Sequence, residues 1–328
     1  MRWAIDFPIP ASPSPISYSS KVLSLGSCFA QTIGSKMQAA KFEVLINPFG
    51  TLFHPLNLSD LLQQALAQVP MNTSGMVERE GIFVHYAAHS DIRGDTQAEL
   101  EDNYNRQMLR LHHALKGATH LLLTLGTAWI YRHKEFGRVA NCHKQPAALF
   151  EKKLSSLEEL EKGLRPVLKL LTEQNPNLKI ILTLSPVRHS KEGISENQLS
   201  KSLLRVLCAQ LEQRLEQVSY FPAYEIMVDE LRDYRFYKSD LVHPSEEAEN
   251  YIWEKWRQFS FSSETLQKVA EIQKIQLDLA HRSFNPNSPA HRKFLENLLG
   301  KLERMQGEVD FSKEIQAIKS RLDAPFSK

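Results

Sequence analysis

The sequence predicts a three-layer α/β/α sandwich built on a mostly parallel five-stranded sheet, followed by a helical extension. Three observations predict it. Apolar stretches of strand length open at Val22, Phe42, Thr119, Leu178 and Val218, with helix-compatible segments between them. Strands that alternate with helices make a doubly wound sheet covered on both faces. The near-continuous run Leu121-Leu122-Leu123-Thr124-Leu125 suits a central strand buried from both sides.

Residues 1–20 form an N-terminal segment whose prolines (Pro8, Pro10, Pro13, Pro15) favour an extended path across the surface. The α/β domain is expected over 21–260. Val22 to Leu25 is its first strand. Phe29, Ile33, Met37 and Ala40 mark the following helix, and Phe42 to Ile46 the second strand. Strand, helix and strand in this length imply a right-handed parallel unit. A loop, Asn47-Pro48-Phe49-Gly50-Thr51, precedes a helix over Leu56–Ala67, and 71–95 holds a hairpin or edge strand around Ile82–Tyr86. A long amphipathic helix, Gln97–Leu115, leads into the central strand, which again stops at a glycine, Gly126. Trp129–Tyr131 and Arg138–His143 form an excursion above the sheet. A helix over Ser155–Glu173, a strand over Leu178–Leu184 and a helix over Glu196–Gln217 follow. Val218–Val228 is a last strand broken by Pro222, and a helix over Ser245–Phe259 closes the domain. The extension, 261–328, carries amphipathic patterns over 263–282 and 290–322 that pack on the sandwich or on a second copy of the chain.

A net charge of +2 from 40 basic and 38 acidic residues, spread along the chain, gives no basic stripe for nucleic acid. Three cysteines, Cys28, Cys142 and Cys208, lack metal-type spacing and leave one over from any disulfide. The opening Met1–Pro8 breaks with acid and proline before an apolar core of a signal peptide can form, and no run reaches membrane-spanning length. A cytoplasmic protein without membrane insertion is the expectation. No Gly-rich phosphate loop occurs, so no cofactor is expected. His85 and His89 stand four apart, a metal-binding spacing on a helix, but their strand-like surroundings argue against it and no metal is expected.

Two stretches carry chemistry. Gly26-Ser27-Cys28 places two nucleophilic side chains at a strand-to-helix turn, where the positive end of the helix favours an anion. Serine at this place also suits a helix N-cap. Far down the chain, Asp240-Leu241-Val242-His243-Pro244 sets a carboxylate three residues before a histidine. Asp240 can fold back onto the imidazole Nδ1 and leave Nε2 as a general base. Trp129, Tyr131, Phe236 and Tyr237 are candidates for the walls of an apolar pocket or for ordinary aromatic packing.

A Gly-Ser-Cys turn after the first strand, with D-x-x-H before the last helix, resembles the SGNH (GDSL-like) hydrolases. More closely, Gly26-Ser27-Cys28-Phe29-Ala30 resembles the motif that names the GSCFA family. Agreement extends to Asn47–Thr51, Leu125–Trp129, Asn141–Lys144, Ser185–His189, Tyr234–Tyr237 and Asp240–Pro244. The resemblance implies a flavodoxin-like sandwich, with Asp240 and His243 as acid and base. The SGNH serine lies two places after its glycine, which in this register is Cys28, whereas Ser27 becomes the nucleophile if the turn shifts by one residue. Gly50 matches the second-block glycine and Gly126-Thr127-Ala128-Trp129 the third block, with Ala128 where an asparagine donor is expected. Backbone groups, Thr127 or Asn141 would then complete an oxyanion site. His143 is a candidate to orient a substrate and Arg188 to pair with an anionic one.

The expectation is therefore an esterase or acyltransferase acting on a small-molecule or glycan ester through a covalent intermediate on Cys28 or Ser27. Two alternatives stand beside it: an SGNH-shaped module that binds without turnover, and an assembly protein that forms a homo-oligomer through its helical tail.

Overall fold

The computed structural model describes residues 8–323. Residues 1–7 of the expected N-terminal segment and 324–328 of the expected extension lie outside them. Five parallel strands form the central sheet: β1 (Lys21–Gly26), β2 (Glu43–Ile46), β6 (His120–Leu125), β10 (Lys179–Leu184) and β11 (Val218–Phe221). Their spatial order is β2-β1-β6-β10-β11. The chain thus leaves β1 toward one edge, returns, and continues from β6 toward the other. The order reverses between β1 and β6, and in such sheets ligands bind outside the carboxyl ends of the strands at that point.

Alternation along each strand divides the core into two layers, as a pleat of period two requires. Leu23, Leu25, Leu121, Leu123, Ile180 and Leu182 face a cluster shared with α2 (Pro55–Ala67), α3 (Gln97–Gly117), α4 (Leu157–Gln174) and α5 (Ile194–Arg214). Val22, Leu122 and Ile181 face the opposite cluster, filled by α1 (Cys28–Ala39) and α7 (Glu246–Ser260) with Trp253 and Trp256. Local chemistry sets the helix starts. Ser156 and Glu159 close a capping box on α4, and the Ser245 hydroxyl accepts the Ala248 amide at the start of α7.

Several expectations change in detail. Residues 8–20 do not simply cross the surface: Ile16 is fully buried, and the Ser12 and Ile16 amides donate to Phe259 O and Ser260 O at the end of α7. The 71–95 stretch is a three-stranded antiparallel sheet of β3 (Met76–Arg79), β4 (Ile82–His85) and β5 (Arg93–Gly94). The excursion after Gly126 is a second such sheet of β7 (Trp129–His133), β8 (Gly137–Val139) and β9 (Phe150–Leu154), and β9 was not expected. After Pro222 the chain turns helical instead of extending β11, through α6 (Ala223–Glu225) and a π turn over Ile226–Glu230. Proline cannot continue a ladder, and Ala223, Ile226 and Met227 bury better on a helical face.

The extension is three helices, not two: α8 (Ser263–Ala280), α9 (Pro289–Met305) and α10 (Ser312–Asp323). Leu295, Leu298, Leu302, Phe311 and Ile318 close a small core of their own. The unit is tied to the sandwich at Lys41, which pairs with Glu314 and lies 4.9 Å from the centre of the Phe311 ring. The expected packing of the tail on the sandwich is thus present. Among the described residues, no helix is long and apolar enough to cross a membrane.

Two predictions follow from the local geometry. Gly26 has φ +131°, and a Cβ there would stand 2.2 Å from Thr124 O. Gly26→Ala should therefore destabilise the protein by more than about 3 kcal/mol in urea unfolding; a loss under 1 kcal/mol by the same measurement would contradict this reading of the turn. His54 caps α2: its Nδ1 accepts the Leu56 amide at 3.1 Å, so the proton sits on Nε2, facing Ala128 O at 3.2 Å. Burial pushes His54 down to about 4. A folded-state value below the unfolded one means that its contribution is full above about pH 6.5 and is lost as pH falls through 4. The loss is on the order of 3 kcal/mol. His54→Asn, which keeps a capping acceptor, should flatten the fall in melting temperature between pH 7 and 4.

Candidate functional site

The turn after β1 is clamped on every side. The Gly26 amide donates to Asn47 Oδ1 at 2.9 Å, Gly26 O accepts from the Leu52 amide at 2.9 Å, and the Ser27 amide donates to Thr124 O at 3.1 Å. Ser27 is wholly buried, and its Oγ accepts the Phe29 amide at 3.3 Å as the N-cap of α1. Cys28 follows as the first residue of the helix and is half-buried. Burial raises its thiol above the usual value, while the Phe29 and Cys28 amides and the Lys201 ammonium pull it down and Glu249 pushes it up. In the sequence register that puts the nucleophile two places after glycine, the side chain left uncommitted by the cap is Cys28.

The second stretch meets the same sheet edge. α7 ends beside the chain that enters β1, so it begins at the opposite, carboxyl edge, and His243 lies just before it. There the Arg188 amide, beyond the end of β10, donates to Val242 O at 3.2 Å. The pairing read from the sequence forms: His243 Nδ1 is 2.7 Å from Asp240 Oδ2. Asp240 Oδ1 accepts the His243 amide at 3.0 Å and the Val242 amide at 2.9 Å. Those amide bonds, together with the bond to the ring, hold the Asp240 carboxyl well below the usual carboxylate range. The carboxylate fixes the ring with its proton on Nδ1, which leaves Nε2 as the basic nitrogen.

The expected oxyanion donors are committed elsewhere. Gly126 and Thr127 both donate their amides to Phe53 O, at 2.8 and 3.2 Å, and the Gly50 amide donates to Asn47 O at 2.8 Å. The Ala128 amide donates to Ser200 Oγ at 2.7 Å and that of Trp129 to Thr127 Oγ1 at 3.1 Å. Asn141 and His143 hold a loop: Asn141 Oδ1 accepts the His143 amide at 2.9 Å, and the buried His143 ring bonds Ser90 Oγ and His85 O. Arg188 is likewise engaged. Its Nη1 donates to Leu241 O at 3.2 Å, and its guanidinium lies 4.0 Å from the Tyr237 ring centre, so it fastens the Asp240–His243 loop to the end of β10. His85 is bonded to Asn72 O and to the Ala87 amide on a strand end, away from the helical geometry its spacing would need.

Three functional candidates were missed in the sequence. Asn47 uses Oδ1 on the Gly26 amide and has its buried Nδ2 without a partner. His189 has a buried, unpartnered Nε2 and, chiefly through burial and then the Lys201 charge, is pushed down to about 3. Lys201 is buried on α5, where a lysine in an amphipathic pattern ordinarily reads as exposed. Its Nζ donates to Gly126 O and Ser185 O, both at 2.7 Å, at the ends of β6 and β10. A cavity of about 550 Å³ opens beside this edge, walled by Thr51, Phe53, Trp129, Tyr131, His189 and Val242. Trp129 and Tyr131 thus line it, while Phe236 packs with the α1/α7 core and Tyr237 is buried in it. Cys142 and Lys152 also line it. Among the described residues, no group of three or more metal-ligating side chains converges.

Residues 21–256 match the family model described as the GSCFA family. The chain belongs to the GSCFA family. Residues 272–324 match a second model, the GSCFA domain protein C-terminal domain, which corresponds to the α8–α10 unit. No curated protein matches the chain. The sequence motifs that identify this GSCFA chain fall mostly at the carboxyl edge of the sheet: Gly26–Ala30 at its first strand, Leu125–Trp129 at its third, Ser185–His189 at its fourth and Asp240–Pro244 against the loop that follows the fourth.

Arg188→Ala removes the stacked guanidinium and one bond to Leu241 O. Amide exchange over 240–243 should accelerate roughly tenfold, with β10 unchanged. An unaltered exchange rate in that loop would show that Arg188 does not hold it.

Proposed function

We propose that this GSCFA protein catalyses acyl transfer, as an esterase or acyltransferase, with Cys28 as nucleophile and His243 as base. The observation that supports it most is the 2.7 Å Asp240–His243 pair at the sheet edge that also carries Cys28. In this reading His243 Nε2 takes the thiol proton, and the sulphur bonds to the carbonyl carbon of an ester or thioester. The leaving group departs with the proton from His243. Water or an acceptor hydroxyl then gives its proton to His243 and attacks the thioester, the C–S bond breaks, and the thiol is restored. The Cys28 amide, which has no partner inside the helix, and Asn47 Nδ2 are the donors this reading assigns to the oxyanion, in place of the occupied third-block amides. A small-molecule or glycan ester would occupy the cavity beside Trp129 and Tyr131.

The occupied amides of Gly126, Thr127 and Ala128 favour a second reading, a module that holds an acylated ligand without turnover. Initial rates with p-nitrophenyl acetate separate the two. Cys28→Ala and His243→Ala should each lower kcat/KM at least about 100-fold. Ser27→Ala should cost chiefly stability, about 1 kcal/mol from the lost cap. Loss of activity in Ser27→Ala with retention in Cys28→Ala would move the nucleophile to Ser27, and rates insensitive to His243 would favour the binding module.

A further inference from the structure

Lys201 poses a physical problem that the proposed mechanism does not use. It is 1% exposed, and its ammonium reaches the carbonyls of Gly126 and Ser185. Two carbonyl oxygens satisfy two of three N–H groups but supply no charge. Among the described residues, no carboxylate lies within ion-pair distance of it. A buried ammonium without a counter-ion is costly, and burial pushes Lys201 down to about 7.

Its surroundings narrow what the charge serves. From α5, Ser200 beside it holds the Ala128 amide and the Thr127 hydroxyl, so one helical turn braces the whole third block. The Tyr224 ring of α6 lies 5.4 Å from Nζ. His189, on the loop after β10, is held neutral in part by the Lys201 charge. Cys28 lies two residues past Gly26, which pairs in register with Thr124, and the Gly126 carbonyl that holds the ammonium lies two residues past Thr124. Cys28 and the Lys201 ammonium thus stand at the ends of adjacent strands, where a Cys28 thiolate favours the protonated lysine. Glu249 of α7 acts on Cys28 in the opposite sense. The remaining polar positions on the buried face of α5, Asn197 and Ser200, point to the same strand ends, with Leu204, Leu207 and Leu211 behind them.

We infer that Lys201 is a positioning residue whose ammonium, fixed on the ends of β6 and β10, is the buried counter-charge for the thiolate of Cys28. The inference rests on Cys28 as the reactive group. It supplies from the side what the committed backbone amides do not: a positive charge fixed before the sulphur ionises. Opposite charge favours the ionised thiol, so Lys201 lowers the pH at which Cys28 reacts, and thiolate formation in turn keeps Lys201 protonated.

The test is the pH dependence of iodoacetamide alkylation at Cys28, resolved by peptide mass spectrometry with Cys142 as internal control. In Lys201→Gln, which keeps a donor for the carbonyls and removes the charge, the Cys28 midpoint should rise by about one pH unit, a tenfold loss of thiolate at a given pH. Lys201→Arg should restore most of it. An unchanged midpoint in folded Lys201→Gln overturns the inference and leaves Lys201 as a brace only. Should the variants not fold, ¹³Cε-lysine NMR of the unmutated protein carries the test. The Lys201 resonance should show a second inflection that carbamidomethylation of Cys28 removes, and a single inflection overturns the inference. Both readouts follow the thiol and not ester turnover, so a midpoint that shifts in a protein without esterase activity would refute the proposed reaction and keep the Lys201–Cys28 pair.

Discussion

The carboxyl edge of this sheet depends on one close approach, that of Gly26 to the backbone of Thr124. A side chain at Gly26 would collide with the Thr124 carbonyl, and the left-handed φ of 131° is one that a residue with Cβ resists. Because β1 ends against β6 in this way, the next two residues have no freedom. Ser27 is drawn onto the Thr124 carbonyl and into the cap, and Cys28 begins the helix. Asn47 and Leu52 complete the clamp from the β2 side. The thiol is thus carried by the rigid part of the fold, at the point where strand order reverses.

Around that clamp, the other motifs act mainly as braces. Phe53 O takes the Gly126 and Thr127 amides, Ser200 and Lys201 tie the same block to α5, and Arg188 fastens the Asp240–His243 loop to the end of β10. Each of these residues has a structural duty at the edge where the proposed reactive groups stand. The electrostatics have a consistent sense: Lys201 and the first amides of α1 favour the thiolate, whereas burial opposes it. The proposed chemistry lies in that balance, with His243 as the group able to carry the proton away.

Much of the fold was legible because burial is periodic. The runs at Val22–Leu25, Leu121–Leu125 and Ile180–Leu184 suit strands covered on both faces, and Phe29, Ile33 and Met37 a helical stripe, as the structure has them. The Asp240–His243 pair was legible because three residues suffice to close it. Less legible was whatever depends on distant partners. Pro222 marks a break, but nothing local says that Ala223 onward turns helical to fill the α1/α7 core. Asn47 lay inside a recognised motif, yet its bond to Gly26 exists only once β1 and β2 pair. Lys201 was hidden for the same reason, since its carbonyl partners come from two other strands. Its one local signal is its place in the buried stripe Asn197, Ser200, Lys201, Leu204 and Leu207.

The most direct measurement is peptide mapping of the acid-quenched protein after brief exposure to p-nitrophenyl acetate, with His243→Ala treated alongside. A single acetyl group is expected on Cys28, labile to neutral hydroxylamine and nearly absent in His243→Ala. Acetyl spread over lysines, equal in both proteins and missing from Cys28 and Ser27, would contradict it.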